Sequence, residues 1–235
     1  MPRGMIPGVR EQPPTEQGVE DGLAYALFAA DGAGGVVVLH GAGSCKENHF
    51  DFARQLQAAG LAAVVFDQRG HGESEGALGA SVFDDVAAIA QLLPPGPVAL
   101  RGSSMGGFVA LMAGARMPAD AVVAICPATG AMLAQGLDER EFDFRADEDG
   151  LRALLLAADE GAAARALGAR LMLQHAEGDE RVPVEGSREL QAAAAGSRLV
   201  AVPGGDHRSV QHDPELQALA VRFIAQALLP RPAPG

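Results

Sequence analysis

A serine flanked by glycines is the feature of this sequence with the clearest chemistry. Gly102-Ser103-Ser104-Met105-Gly106 fits the pattern G-x-S-x-G, with Ser104 at its centre. The apolar run Val98-Ala99-Leu100 precedes it, and a helical pattern begins at about Met105. In this strand–turn–helix context, glycines allow a sharp turn that presents the hydroxyl near a helix N-terminus, where N–H groups favour negative charge. The pattern predicts Ser104 as a nucleophile, and the alternative is a glycine-rich turn without a catalytic role.

A serine hydroxyl becomes a good nucleophile only when a base removes its proton and an acid fixes the tautomer of that base. His207 follows the predicted strand Leu199–Val202, in the sequence Gly204-Gly205-Asp206-His207. Asp179 follows the predicted strand Leu171–Leu173. We therefore assign His207 as the base and Asp179 as the acid.

A second glycine-rich loop could bind the negative charge that develops on a carbonyl oxygen under attack. His40-Gly41-Ala42-Gly43 follows the first core strand, and its glycines leave room for backbone N–H groups to face a substrate oxygen. We predict that the N–H groups of Ala42 and Met105 form an oxyanion hole, which would stabilise a tetrahedral intermediate.

Several neighbouring residues could compete for these roles, and we interpret them as structural. Ser103 has Arg101 and Met105 at the positions where the pattern requires glycine. His212 is the rival base, but it lies closer to the closing helix than His207 does. The remaining candidates are expected to pack, to hold turns or to face solvent: His40, His49, His71, His175, Asp67, Glu177, Glu180, Asp206, Cys45 and Cys126.

Short β-branched runs alternate with helical patterns, which predicts an α/β fold with a mostly parallel sheet and helices on both faces. Val36–Leu39 is a continuous apolar run, as expected of a strand buried on both faces. Leu23–Ala29 is predicted to be an antiparallel lead-in strand, and Met105–Arg116 a helix. We interpret Ser44-Cys45-Lys46-Glu47 as a capping box that opens a helix. Asp213-Pro214 is predicted to open the closing helix as its N-cap and first residue.

The predicted elements indicate one domain over residues 23–229, after an N-terminal extension at 1–22 and before a tail at 230–235. About 45 residues between two predicted strands, Ala121–Ile125 and Leu171–Leu173, interrupt the alternation, which is longer than a usual crossover. We interpret residues 127–169, approximately, as a small cap inserted into the domain. Seven acidic residues between Asp138 and Asp149 could select cationic substrates, although a charge run is usually a solvated face.

Composition restricts the classes of partner. The chain has 235 residues, 48% of them hydrophobic, and a formal net charge of −12, which argues against nucleic acid as the main partner. Two cysteines, Cys45 and Cys126, cannot form a disulfide scaffold and lack the spacing of a zinc site. No apolar stretch has the length of a membrane span and no signal-peptide pattern opens the chain, so a cytoplasmic location is the expectation.

Five motifs in one order resemble the α/β-hydrolase superfamily, and within it the small-capped serine hydrolases similar to monoacylglycerol lipases, serine aminopeptidases and short-chain esterases. The resemblance implies Ser104 as nucleophile, His207 as base and Asp179 as acid, with no metal or organic cofactor. Ser104 also argues against haloalkane dehalogenases and soluble epoxide hydrolases, which carry Asp at that position. The motifs are His40-Gly41-Ala42-Gly43, Asp67-Gln68-Arg69-Gly70-His71-Gly72-Glu73-Ser74, Gly102-Ser103-Ser104-Met105-Gly106-Gly107, Gly178-Asp179-Glu180-Arg181-Val182-Pro183 and Asp206-His207.

These observations together predict a hydrolase that cleaves a small-molecule carboxylic ester through an acyl-enzyme intermediate. The first alternatives are thioester hydrolysis and removal of an N-terminal amino acid, for which cap acids could bind the substrate amine. The second is a non-catalytic binding protein of the same fold. The sequence leaves the oligomeric state and the physiological substrate open.

Overall fold

A computed structural model describes residues 12–229, and an eight-stranded sheet forms its centre. The sheet order is β1-β2-β4-β3-β5-β6-β7-β8, with β1 and β2 antiparallel to their neighbours and the other strands parallel. The strands are β1 (Glu16–Glu20), β2 (Leu23–Phe28), β3 (Gly35–Leu39), β4 (Ala62–Phe66), β5 (Val98–Ser103), β6 (Ala121–Ile125), β7 (Leu171–Ala176) and β8 (Arg198–Val202).

Helices cover both faces of this sheet, so the predicted fold class is confirmed. Helices α1 and α8 pack on one face, and α2, α3, α6 and α7 pack on the other. The helices are α1 (Phe50–Ala58), α2 (Val82–Ala90), α3 (Met105–Arg116), α4 (Gly130–Asp138), α5 (Glu148–Leu156), α6 (Glu160–Leu167), α7 (Val184–Ala193) and α8 (Pro214–Leu228).

The central strands are apolar because both of their faces are covered. Every residue of β3, β4 and β6 is buried, which accounts for the continuous apolar runs at these positions. Because β3, β5, β6, β7 and β8 are parallel, their carboxyl ends lie along the same edge of the sheet. The loops that follow these five strands therefore meet at this edge. The loops that carry Ala42, Ser104, Asp179 and His207 all leave this edge.

Two local predictions need correction. Ser44 does not form a capping box: the chain after it begins with a 3-10 turn, Lys46–His49, whose N-cap is Cys45 without a side-chain bond. Lys46 is drawn into the interior by the buried carboxylate of Asp67, and this displaces the helix start to Phe50. By contrast, the Asp213 N-cap is confirmed, because its carboxylate accepts the N–H groups of two residues in the first turn of α8.

The sheet also contains a strand that was not predicted. Strand β1 lies within the segment interpreted as an N-terminal extension and pairs with β2 along its whole length. Its residues are mostly exposed, and Val19 is 63% exposed, so it carries no apolar signature of a strand. The predicted tail at 230–235 and residues 1–11 lie outside the described part of the chain.

Residues 127–169 form three short helices, α4, α5 and α6, between β6 and β7, and we refer to them as the cap. The segment between α4 and α5 is hydrogen-bonded to the loop after β4. The N–H of Arg145 donates to Gly70 O, the N–H of Leu78 donates to Arg145 O, and the N–H of Asp147 donates to Leu78 O. Within residues 12–229, no helix has both the length and the apolar character that crossing a bilayer requires.

Candidate active site

Ser104 lies at the turn between β5 and α3 in a backbone conformation that side chains rarely adopt. Its φ is 55° and its ψ is −120°, which costs on the order of 1–3 kcal/mol for a residue other than glycine. The turn is closed by two bonds, from the Ser104 N–H to Ile125 O (2.9 Å) and from the Ala128 N–H to Ser104 O (3.3 Å). The surrounding structure therefore holds a strained serine, partly exposed, directly at the N-terminus of a helix.

The glycines beside Ser104 are required by close approaches of backbone. A side chain at Gly102 would collide with the carbonyl group of Gly106. A Cβ at Gly106 would lie 2.5 Å from His40 O and 2.6 Å from Leu39 O. The pattern that suggested a nucleophile therefore has a steric cause: the turn packs against the end of β3 with no space for a side chain.

The loop after β3, residues 40–45, lies directly against Ser104, and we call it the His40 loop. A Cβ on Gly41 would be 3.3 Å from the Cβ and 3.9 Å from the Oγ of Ser104. Among residues 12–229, neither the N–H of Ala42 nor that of Met105 has a hydrogen-bond partner. Two unpaired backbone donors thus lie on the two segments that border the serine.

Asp179 and His207 are brought together, although 28 residues separate them. The Nδ1 of His207 is 2.6 Å from Oδ2 of Asp179, so Nδ1 carries the donated proton and Nε2 is left as the basic nitrogen. The other carboxylate oxygen, Oδ1, accepts the N–H groups of Arg181 and Val182, both at 2.9 Å. The described part of the chain provides no hydrogen bond to Ser104 Oγ, so the structure pairs the acid with the base but does not join the base to the serine.

The environment of Asp179 keeps its carboxyl ionised. Burial opposes the charge, but the N–H of Val182, the ring of His207 and the N–H of Arg181 outweigh it and lower the pKa of Asp179 below its ordinary value. An ionised acid against Nδ1 is the arrangement that holds an imidazole in one tautomer and stabilises its protonated form.

His175 and Cys126 lie beneath this pair, and with Asp179 they place three potential metal ligands within 4.8 Å of one another. The donor set does not fit a metal ion. His175 Nε2 donates to Val182 O (2.8 Å) and Nδ1 bonds Ser187 Oγ (2.7 Å), so both ring nitrogens are occupied. Burial raises the pKa of the Cys126 thiol to about 12, so this thiol is protonated at neutral pH.

The other competing residues have structural roles. Asp206 turns away from His207 and accepts the N–H groups of Arg208 and Ser209. His212 bonds Asp51 at 3.1 Å rather than the serine turn. Asp67 bonds the backbone and side chain of Lys46 and the N–H of Glu73, which connects the 3-10 turn after the His40 loop to the loop after β4.

His40 shapes the loop that carries Ala42. Its Nδ1 donates to Gly41 O (2.8 Å) and its Nε2 accepts the Gln68 N–H (2.9 Å), so the neutral ring is required. Burial and the neighbouring His71 lower its pKa to about 4. The His71 ring lies between that of His40 (4.8 Å between centroids) and that of Phe144 in the cap (4.4 Å), and so connects the His40 loop to the cap.

Burial holds four histidines neutral, and this predicts a loss of stability in mild acid. The pKa values of His40, His49, His71 and His175 are all lowered, mainly by desolvation. Between pH 6.5 and about 4 the unfolded chain binds protons that the folded chain does not. The contribution of these rings to the free energy of unfolding is therefore complete above pH 6.5 and is lost as the pH decreases towards 4.

For His40 alone, the change from pH 7 to pH 5 removes about 2 kcal/mol from the free energy of unfolding. Urea unfolding at the two pH values measures this effect. An equal free energy of unfolding at pH 7 and pH 5 would contradict the buried, neutral state of these rings.

An apolar cavity lies between the cap and α3, with Met105 in its wall. Its volume is about 10 Å³, enough for about one water molecule. All twelve lining side chains are apolar, and they come from α2, α3, α4, α5, the segment between α4 and α5, and the loop after β4. They are Leu78, Val82, Met105, Phe108, Val109, Leu133, Leu137, Phe142, Phe144, Leu151, Leu154 and Leu155.

The seven acidic residues between Asp138 and Asp149 face solvent and do not line this cavity. Each of them is exposed, and Asp147 caps α5 by accepting the N–H of Gly150. The interpretation of this run as a solvated face is therefore favoured over selection of a cationic substrate.

Arg101 is a residue whose role was not predicted. It occupies the middle of β5, is 1% exposed, and donates to His49 Nδ1 (2.9 Å) and Gln211 O (3.0 Å). Its guanidinium also lies 4.4 Å from the Phe52 ring centroid. A charged residue inside an otherwise apolar strand was the available signal, but its partners are 52 and 110 residues away in sequence.

Comparison with known proteins finds similarity over part of this chain. The family described as "Serine aminopeptidase, S33" matches residues 31–141, which include the His40 loop and the Ser104 turn. Human monoglyceride lipase is 33% identical over 92 residues, a segment that covers 35% of this chain and 30% of the human protein. This chain therefore matches less than a third of the length of that relative.

Solved structures similar to this chain share its fold. Est1E from Butyrivibrio proteoclasticus superimposes with a TM-score of 0.70 at 17% identity, covering 90% of this chain and 98% of that one. The monoacylglycerol lipase of Paleococcus ferrophilus gives 0.64 at 21% identity, covering 87% and 97%. The enol-lactonase of Burkholderia xenovorans gives 0.69 at 18% identity, covering 89% and all of that chain.

Proposed function

We propose that the chain belongs to the α/β-hydrolase superfamily and is a serine hydrolase that cleaves carboxylic esters. The proposal is carried by one observation: a strained serine at a strand-to-helix turn shares a sheet edge with a bonded Asp179–His207 pair. A binding protein has no need of this arrangement. The similarity to human monoglyceride lipase and to a monoacylglycerol lipase supports esters as the substrate class.

In the proposed mechanism, His207 Nε2 removes the proton of Ser104, and Oγ attacks the carbonyl carbon of the ester. The carbonyl oxygen takes the negative charge and is stabilised by the N–H groups of Ala42 and Met105. The tetrahedral intermediate collapses as His207 protonates the departing alcohol. Water, deprotonated by His207, then attacks the acyl-enzyme, and the acid is released as Ser104 regains its proton.

The apolar lining of the cavity supports an uncharged acyl group as the part of the substrate that the protein buries, and the cap must open to admit it because the cavity has a volume of only about 10 Å³. Because Met105 belongs both to its wall and to the proposed oxyanion hole, an acyl chain in the cavity would lead to Ser104. The lining contains no acid to bind a substrate amine, which favours esters and thioesters over aminoacyl substrates.

A panel of p-nitrophenyl esters, acyl thioesters and aminoacyl anilides tests the proposal. We expect turnover of the esters by the wild-type protein, and no turnover by a Ser104→Ala variant that remains folded. Equal rates for the two proteins would overturn the assignment of Ser104. Absence of turnover throughout the panel would favour a non-catalytic binding protein.

The cavity predicts how a cap residue affects substrate preference. Leu154 lies in helix α5 and lines the cavity, whereas Leu156, two residues further on, is 63% exposed. Leu154→Ala enlarges the cavity, so we expect the ratio of kcat/KM for long to short acyl chains to rise about tenfold, the size of effect that one or two methylene groups produce.

The matched control for this prediction is Leu156→Ala, which should leave the ratio unchanged. Kinetics with a series of p-nitrophenyl esters from acetate to dodecanoate measure both variants. The same ratio in Leu154→Ala and Leu156→Ala would place the acyl chain elsewhere.

A further inference from the structure

We infer that Arg101, Ser103 and Gln211 form a clamp that sets the position of the base His207 relative to the nucleophile Ser104. These three are positioning residues, which act through the loop that carries His207. The inference rests on the proposed function, because it concerns the alignment of the two groups that exchange a proton.

The loop between β8 and α8, residues 203–213, is the segment that the clamp holds, and we call it the His207 loop. It contains Gly204 and Gly205, both with positive φ, and most of its side chains are exposed. An exposed loop of this kind needs an anchor besides the Asp179–His207 bond if His207 is to keep one position. Val210 supplies a buried apolar contact, but a contact of that kind leaves the orientation of the loop free.

Gln211, four residues after His207, is bonded through both its backbone and its side chain to strand β5. Its carbonyl oxygen accepts from Arg101 Nη2 (3.0 Å), and its side-chain Oε1 accepts from Ser103 Oγ (2.6 Å). Arg101 and Ser103 are two residues apart in β5, so their side chains point to the same face of the sheet. Ser104 is the next residue in the chain. The strand that ends in the nucleophile therefore holds the loop that carries the base.

The burial of Arg101 supports a positioning role for its bond to Gln211. A fully buried guanidinium is costly, and no carboxylate within residues 12–229 bonds it: its partners there are His49 Nδ1, Gln211 O and the face of Phe52. Burial lowers its pKa only to about 10, so it stays charged at neutral pH. A charge-assisted bond to a main-chain carbonyl is stronger and more directional than a neutral one, which suits a fixed anchor.

Residues of α1 and α8 also hold Gln211 and its neighbour His212. The Gln217 side chain donates to Gln211 O (3.0 Å) and to Asp51 Oδ2 (2.8 Å), and His212 bonds the same carboxylate oxygen. The anchor point is thus held from two sides. Because the described residues offer no hydrogen bond to Ser104 Oγ, this clamp is the direct hydrogen-bonded link between the serine strand and the His207 loop.

Ser103→Ala and Gln211→Ala test the clamp without leaving a charge unpaired. We expect each to lower kcat about tenfold with KM changed less than twofold, since small misplacements of reacting groups reduce the rate of chemistry. The double variant should be no slower than the slower single variant, because the two substitutions remove one shared link. Ser197→Ala is the control and should keep full kcat, because this half-buried serine just before β8 bonds Gln191 O and not the His207 loop.

Hydrogen exchange of the backbone amides of residues 206–211 provides a measurement that does not depend on activity. We expect faster exchange in Ser103→Ala and Gln211→Ala and no change in Ser197→Ala. Unchanged exchange would overturn the clamp even if the wild-type protein proved inactive on every ester. Faster exchange with kcat unchanged, or with additive losses in the double variant, would show that the bonds stabilise the loop without positioning the base.

Discussion

Asp179→Asn is expected to lower kcat for ester hydrolysis about 10⁴-fold while the protein stays folded. The reason lies in how the carboxylate is held. Its Oδ1 accepts two backbone N–H groups, from Arg181 and Val182, and an Asn side chain must keep its oxygen there. The amide NH₂ would then face His207 Nδ1, which has to accept instead of donate, so the proton moves to Nε2 and the ring can no longer act as base.

Glu177→Gln is the matched control, because Glu177 lies two residues before Asp179 and pairs with Arg188 at the surface. It should retain kcat within twofold. Steady-state kinetics with a p-nitrophenyl ester, together with circular dichroism of each variant, measure the effect. Activity of Asp179→Asn within tenfold of the wild type would remove Asp179 from the mechanism.

Substitution of Ser104 is expected to separate activity from stability. Ser104→Ala and Ser104→Gly both lack the hydroxyl, so each should lose at least about 10⁴-fold in kcat. They differ in strain. Alanine keeps a Cβ at φ 55° and ψ −120°, whereas glycine adopts this conformation freely, so Ser104→Gly should be more stable than Ser104→Ala by about 1 kcal/mol.

Glycine normally destabilises a protein relative to alanine, so a Ser104→Gly variant that is more stable than Ser104→Ala would indicate backbone strain at residue 104. Ala153→Gly, at an exposed position inside helix α5, is the control and should lose about 0.5–1 kcal/mol. Urea unfolding measures the three variants against wild type. If Ser104→Gly is less stable than Ser104→Ala, the strain at this turn is not stored in the serine backbone.

The parts of the fold that follow from local patterns were predictable. Helix α3 begins and ends at the predicted residues, since Met105–Arg116 is bounded by the glycine turn and by a following strand. The strands buried on both faces were also recognisable, because burial on both faces demands continuous apolar residues. The Asp179–His207 contact was predicted only as a pair of roles, and the structure supplies its distance.

The parts that depend on distant partners were not predictable. Lys46 has the sequence context of a helix start, but Asp67 and Glu73 draw its amine into a network that no local pattern reports. Strand β1 is an exposed edge without an apolar face, so backbone pairing with β2 is its main support. Arg101 is a charged residue in a buried strand. Its structural role depends on Gln211, which lies 110 residues away in sequence and comes near only in the folded chain.

The central claim is that Ser104 is the nucleophile, and labelling with a fluorophosphonate probe tests it most directly. Such probes react with a serine only when a base and an oxyanion site activate it. We expect one probe per chain, located by peptide mass spectrometry on Ser104, and no labelling of Ser104→Ala. A label on any other residue, a label that persists in Ser104→Ala, or an unlabelled wild-type protein would contradict the account.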